Sequence, residues 1–253
     1  MKKHISYSEF KVWNECPWRH KLNYLDNLST FSGNEFTAFG TAVHEMCETM
    51  VQEEEVKEPA NLFQQSFSKE LKKLTTDLNK KLVVEMNVQG RTIAPAVLPA
   101  LEKYFGRYEV VAAEESLYEP MAGFTKHFKG FIDLVIKTED GKYHIIDWKT
   151  CTWGWDARKR SEKLITYQLT FYKHYYIQKY NLDPKDVETH FALLKRTAKK
   201  DRIEIFRVTS GKRKTENALK SLNNTLYNIK NKTYIKNRLS CKYCEFYKTI
   251  HCP

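Results

Sequence analysis

Residues 129–137 (Lys-Gly-Phe-Ile-Asp-Leu-Val-Ile-Lys) and 142–150 (Lys-Tyr-His-Ile-Ile-Asp-Trp-Lys-Thr) are two runs rich in β-branched and aromatic residues, joined through Thr138-Glu-Asp-Gly-Lys142. Asp-Gly between two such runs signals an antiparallel hairpin, because glycine tolerates the positive φ that the turn demands. The fold must therefore contain a sheet built around this hairpin. Three charged residues interrupt its apolar pattern: Asp133, Asp147 and Lys149. Residues i and i+2 of a strand share a face, so Asp147 and Lys149 project together, and pairing across the turn brings Asp133 beside Asp147. Two carboxylates and an ammonium on one face suit a hard divalent cation, a scissile phosphate and a water nucleophile. For any single Asp-x-Lys triplet, a surface salt bridge on an edge hairpin is the commoner outcome.

Other segments change that balance. Upstream, Gly40-Thr-Ala-Val-His44 opens a run in which Phe39, Val43, Met46 and Met50 recur at helical spacing. His44 lies at the edge of that stripe, with Glu48 one turn later on the same side. Downstream, Gln168 and Tyr172 stand four apart, on one face of an expected helix from about residue 161 to 180. Taken singly, these are ordinary edge residues of core helices. Their order along the chain is what is specific: His, Asp, Asp-x-Lys, then Gln-x-x-x-Tyr.

That order resembles the RecB-like branch of the PD-(D/E)XK nucleases, which includes AddB and CRISPR-associated exonucleases. The resemblance implies that His44, Asp133 and Asp147 hold Mg²⁺ or Mn²⁺, with the Trp148 carbonyl and water completing the shell. A nitrogen ligand tilts the choice toward Mn²⁺. It also implies that Lys149 orients the attacking water or neutralises charge at the phosphorus, and that Gln168 and Tyr172 face DNA. Glu114, on the preceding strand-like run, loosely matches a further family acid. The expected activity is metal-dependent hydrolysis of DNA, as an exonuclease on single strands or free ends, in company with a helicase or recombination partner.

The six cysteines are a second signal. Cys47 and Cys151 read as small core or near-site residues. Cys241-Lys-Tyr-Cys244 and Cys252 form a thiol cluster near the C-terminus, and Cys16, before Pro17, is a plausible fourth ligand from the other end. Thiolates so spaced bind zinc or an iron–sulfur cluster, and spacing leaves both open, with His251 as an alternative zinc ligand. The resemblance implies a 4Fe–4S cluster joining the termini. No signal peptide or apolar stretch of spanning length is apparent, so a reducing cytoplasm is expected (the host's, if the source is viral), with no membrane association.

Linkers, repeats and low-complexity stretches are not evident, and a 253-residue chain can bury one sizeable core, so one domain over residues 1–253 is expected. Helices are expected over 6–25, 61–81, 161–180 and 212–232, and strands over 107–118, 187–195 and 202–208 besides the hairpin. Together these give an α/β fold, a mixed central sheet flanked by helices of the restriction-endonuclease-like kind. The charge is uneven: residues 150–253 carry 23 Lys and Arg against 9 Asp and Glu, whereas residues 1–149 carry 19 against 22. Basic clusters at 158–160, 195–196, Lys199-Lys200 and 212–214, with Trp153, Trp155, Tyr167 and Tyr172 among them, suggest a nucleic-acid footprint in which aromatics stack unpaired bases. A catalytically inactive nucleic-acid-binding protein with a structural zinc or iron–sulfur site is the alternative function. The complete acid–acid–lysine set speaks against that inactive reading; a redox or structural protein built on the cluster is a further class, opposed by the family resemblance.

Overall fold

A computed structural model describes residues 2–28, 32–53 and 56–253. Its centre is a mixed sheet of β1 (His4–Ser6), β2 (Tyr108–Pro120), β3 (His127–Thr138), β4 (Tyr143–Cys151), β5 (Val187–Lys195) and β6 (Ile203–Arg207). The expected hairpin is β3–β4, with Gly141 at φ 82° in its turn. β2 pairs antiparallel along the whole of one edge of β3. On the other edge, β1 runs parallel to residues 127–129 and β4 antiparallel to residues 134–137, so residues 130–133 lie between the two. On its other edge β4 pairs with β5 in parallel register along its whole length, from Tyr143↔Val187 through Cys151↔Lys195, and β6 closes the sheet. The two strands of the hairpin thus fork at Asp133.

Helices cover both faces. α1 (Tyr7–Glu15), α8 (Lys163–Tyr180) and α9 (Lys212–Lys230) bury Phe10, Phe171, Tyr175 and Leu222 against Ile145, Phe191 and Leu193. α3 (Glu35–Gln52), α4 (Pro59–Leu71), α5 (Lys80–Ile93) and α6 (Val97–Phe105) bury Phe39, Met46, Phe63, Phe67 and Leu101 against Leu134, Ile146, Trp148 and Leu194. The remaining α-helices among the described residues are α2 (Pro17–His20) and the short α7 (Ala157–Ser161). No helix among the described residues is long and apolar enough to cross a membrane.

The expected helix over 6–25 is interrupted. Ser6 caps α1 by accepting the Glu9 N–H, but Cys16 is extended at φ −160°, ψ 109°, and Pro17 starts α2, which continues as a π-helical turn over Lys21–Leu25. The residue before a proline is sterically pushed out of the helical region, and the break falls there. The expected helix over 61–81 ends at Leu71, and Asn79 caps a separate α5 by accepting the Leu82 N–H. Gly90 of α5 lies against the Phe63 ring, where a Cβ would meet ring carbons at 2.1 Å, so glycine is what lets α5 approach α4.

Candidate active site

Asp133 occupies the fork. One step beyond the Leu134↔Ile146 pair, it stands across from Asp147. The side-chain alternation of β3 slips here: Phe128, Ile132 and Val135 all join the cluster under α8, whereas Leu134 and Ile136 join the opposite one. In an unbroken strand Ile132 and Leu134 would share a face. Across from Asp133 on β2, between the pairs Ala113↔Leu134 and Glu115↔Ile132, Glu114 holds φ 52°, a left-handed conformation uncommon for a residue with a Cβ. With β4 peeling away, Asp133 Oδ2 accepts the Trp148 N–H at 2.7 Å, and its carboxylate takes the place of a ladder partner.

The two faces of the sheet meet at this carboxylate. From α3, His44 brings Nδ1 to 3.3 Å from Asp133 Oδ1. Ligand atoms of His44, Glu114 and Asp133 lie within 4.8 Å of one another. From the α8 side, Asp147 is 1 % exposed, with its Oδ2 against the Lys149 ammonium. Lys149 itself lies over the Phe191 ring, 5.8 Å from its centroid. Gln168 on α8 donates from Nε2 to Asp147 Oδ1 at 2.7 Å and to the Tyr172 hydroxyl at 3.2 Å.

The electrostatics follow from crowding acids in a dry place. Burial pushes the Asp147 carboxyl up to about 6; the Lys149 ammonium opposes that shift and Asp133 adds to it. Burial, then the charges of Asp133 and Glu48, raises Glu114, with His44 pulling the other way. Burial disfavours charge on His44, but the hydrogen bond and charge of Asp133 outweigh it, and the imidazole is raised. Such an arrangement stores anionic repulsion that a cation would relieve, and hard oxygens with one imidazole fit Mg²⁺ or Mn²⁺.

Asp133, Asp147, Lys149, His44 and Glu114 are thus brought together. Gln168 reaches the site, but with its amide turned onto Asp147. Tyr172 is 6 % exposed. Its ring fills the space beside Gly130, where a Cβ would stand 2.8 Å from it, and only its edge reaches a surface hollow with Tyr7 and Lys129. The aromatics expected to stack bases need the same correction: Trp155 and Tyr167 are each 8 % exposed and belong to the core, which leaves Trp153 at 64 %. Lys199 and Lys200 are exposed on the β5–β6 turn, at the end of the sheet where β4 carries Lys149. Tyr7 was not legible in the sequence: its hydroxyl donates to the Leu164 carbonyl at 2.7 Å, and burial followed by the Asp147 charge raises its phenol. No motif marks it.

At the termini, Cys16, Cys241, Cys244 and Cys252 line one small cavity with Trp18, Leu22 and Phe246. Cys16 Sγ accepts the Asn237 N–H at 3.4 Å, and Cys16 and Cys252 are buried. No three of these sulfurs lie within 4.8 Å of one another. His251 is exposed, packs edge-on to Phe246 and does not line the cavity. Cys47 is buried in α3, and Cys151 is half-buried with its thiol toward the Trp153 carbonyl.

The model of the PD-(D/E)XK nuclease superfamily matches residues 4–249. Among solved structures, the "Putative exonuclease" from Eubacterium rectale aligns with a TM-score of 0.64 at 14 % identity, over 99 % of this chain and 90 % of its own. SSO0001 aligns at 13 % identity with a TM-score of 0.45, over 97 % and 84 %. No curated protein sequence matches significantly. With the match running through the forked hairpin and nearly from end to end, the chain belongs to the PD-(D/E)XK nuclease superfamily.

Proposed function

We propose that this chain is a divalent-metal-dependent deoxyribonuclease, a single domain that acts as an exonuclease on single strands or free ends. The convergence of Asp133, Asp147, Lys149, His44 and Glu114 at the hairpin fork carries the reading. Asp133, Asp147 and His44, with the Trp148 carbonyl, would hold Mg²⁺ or Mn²⁺, and Glu114 is near enough to join them. When bound, the cation would acidify water and withdraw charge from the phosphoryl oxygens. The side chains do the rest. Gln168 and Lys149 fix the Asp147 carboxylate from two directions, and the Trp148 N–H fixes that of Asp133. Lys149, 29 % exposed and paired with Asp147, is placed to orient a water or to meet negative charge developing at phosphorus. The basic C-terminal portion, including Lys199 and Lys200, would follow the phosphate backbone without reading sequence.

Action on ends draws support from the Eubacterium rectale relative, whose description is that of an exonuclease. A helicase or recombination partner is in keeping with the RecB-like resemblance. We also propose a structural 4Fe–4S cluster on Cys16, Cys241, Cys244 and Cys252, supported by the cavity the four thiols share. Zinc is the second reading; iron and zinc analysis of anaerobically purified protein distinguishes them, with about four irons per chain expected.

The nuclease reading is tested with single- and double-stranded DNA labelled at either end and incubated with Mg²⁺ or Mn²⁺. Progressive shortening from one end is expected. Tight binding with no cleavage under any divalent cation would replace this reading with that of an inactive nucleic-acid-binding protein.

A further inference from the structure

The far end of the sheet holds a second cluster of ligand-type side chains, on the opposite face from Asp147. His144 opens β4, and the parallel register places it beside Glu188 on β5, with His190 two residues on and opposite Ile146. All three therefore project from one face, that of Trp148 and Leu194. His144 Nδ1 and His190 Nε2 are 3.1 Å apart, and Glu188 Oε2 lies 4.0 Å from each. Phe105, at the end of α6, packs against both imidazoles at 5.0 Å.

The surrounding hydrogen bonds present the ring nitrogens in a particular way. Thr138 Oγ1 donates to Asp140 Oδ1 at 2.5 Å, so toward His144 Nε2, 2.9 Å away, it can only accept. His144 therefore carries its proton on Nε2, and its Nδ1 offers a lone pair toward His190 and Glu188. Metal-bound histidines are commonly held by such a bond from the other ring nitrogen. Glu188 is held in a similar way: Arg207, at 3.1 Å, and Lys142, at 3.6 Å, both pair with Oε1, which leaves Oε2 turned to the imidazoles.

We propose that His144, Glu188 and His190 form a second metal site, separate from the fork, which takes Zn²⁺ or a similar borderline divalent ion. Two imidazoles and a carboxylate are an established zinc donor set. Bonds of about 2.0–2.2 Å at tetrahedral angles require ligand atoms roughly 3.4 Å apart, which the observed 3.1 and 4.0 Å separations approach within a sub-ångström adjustment. Without metal, His190 Nε2–H donates to His144 Nδ1. Binding requires that proton to leave Nε2, and the other ring nitrogen, His190 Nδ1, is buried without a hydrogen-bond partner and free to take it, with no net release. The fourth position opens onto a cavity of about 620 Å³ bordered by Arg107, Lys142 and Arg207, where water or an anion can enter.

The test is a Zn²⁺ titration of the whole protein in excess Mg²⁺, which keeps the fork carboxylates occupied, followed through the histidine ring nitrogens by long-range ¹H–¹⁵N spectra. His144 Nδ1 and His190 Nε2 should shift together and saturate at one ion. Thr138→Val, which removes the acceptor of the His144 proton, should weaken binding by about 10–100-fold. Glu188→Gln should weaken it at least as much. Unmoved resonances of His144 and His190, with zinc taken up only at His44 or the terminal thiols, would overturn the proposal. So would wild-type affinity in Glu188→Gln.

Discussion

Asp147 makes the metal-free protein sensitive to pH in a direction opposite to that of most paired carboxylates. Its folded-state value of about 6 lies above the ordinary 3.8, because burial outweighs the Lys149 ammonium. A raised acid is protonated more tightly in the folded chain than in the unfolded one. The two states are equal in this respect below about pH 4, and the folded state is penalised once both are ionised above about pH 6. Two pKa units at 1.36 kcal/mol each give a loss of about 3 kcal/mol across that window. Asp147→Asn keeps the shape without the charge and should remove this loss. The assay is urea unfolding in EDTA from pH 4.5 to 8, with the variant's profile subtracted from the wild type's, since Glu9, Glu204 and Glu245 are lowered and push the other way. Mn²⁺ should restore the lost stability above pH 6 in the wild type and not in Asp147→Asn. A difference profile that is flat, or that rises with pH, would mean that Asp147 is not raised in the folded chain.

Three other expectations can be checked independently. Gln168→Ala should lower single-turnover cleavage by freeing the Asp147 carboxylate and leave DNA affinity close to wild type; unchanged cleavage with weakened binding would instead place Gln168 on the DNA. Gly90→Ala should cost about 1–3 kcal/mol in urea unfolding, because its methyl would overlap the Phe63 ring; a neutral result would mean α5 can back away from α4. Lys199→Ala with Lys200→Ala should reduce the slope of log affinity against log salt by up to about 2, roughly 0.9 for each phosphate no longer neutralised, equally for all sequences; an unaltered slope would place the β5–β6 turn off the DNA path.

The hairpin and the α8 helix were legible because each obeys a local rule: Asp-Gly at the turn, β-branched and aromatic runs on β3 and β4, and a four-residue spacing from Gln168 to Tyr172. The acid–acid–lysine set was legible for the same reason. Residues 82–105 carried no expectation, and there Gly90 serves the close approach of α5 to Phe63 and Pro95 sits in a short 3-10 turn between α5 and α6. The fork itself is tertiary. It depends on β4 parting from β3 while it stays paired with β5, and on Glu114 taking a left-handed backbone, and neither is written in a local period. Aromatics among basic residues looked like base platforms, yet Trp155, Tyr167 and Tyr172 have too much apolar surface to leave exposed and were drawn into the core.

The central claim is that the carboxylates and lysine at the fork perform phosphodiester hydrolysis. The most direct measurement is single-turnover cleavage of end-labelled DNA under saturating Mn²⁺ by the wild type, Asp133→Ala and Lys149→Ala, with folding and DNA affinity measured alongside. Metal-dependent cleavage by the wild type is expected, with a loss of at least about 10²-fold in each variant, the scale seen when a donor to the developing charge such as Lys149 is removed. Lys149→Ala should remain folded and bound to DNA. Wild-type cleavage rates in both variants would mean that the fork is not the catalytic site.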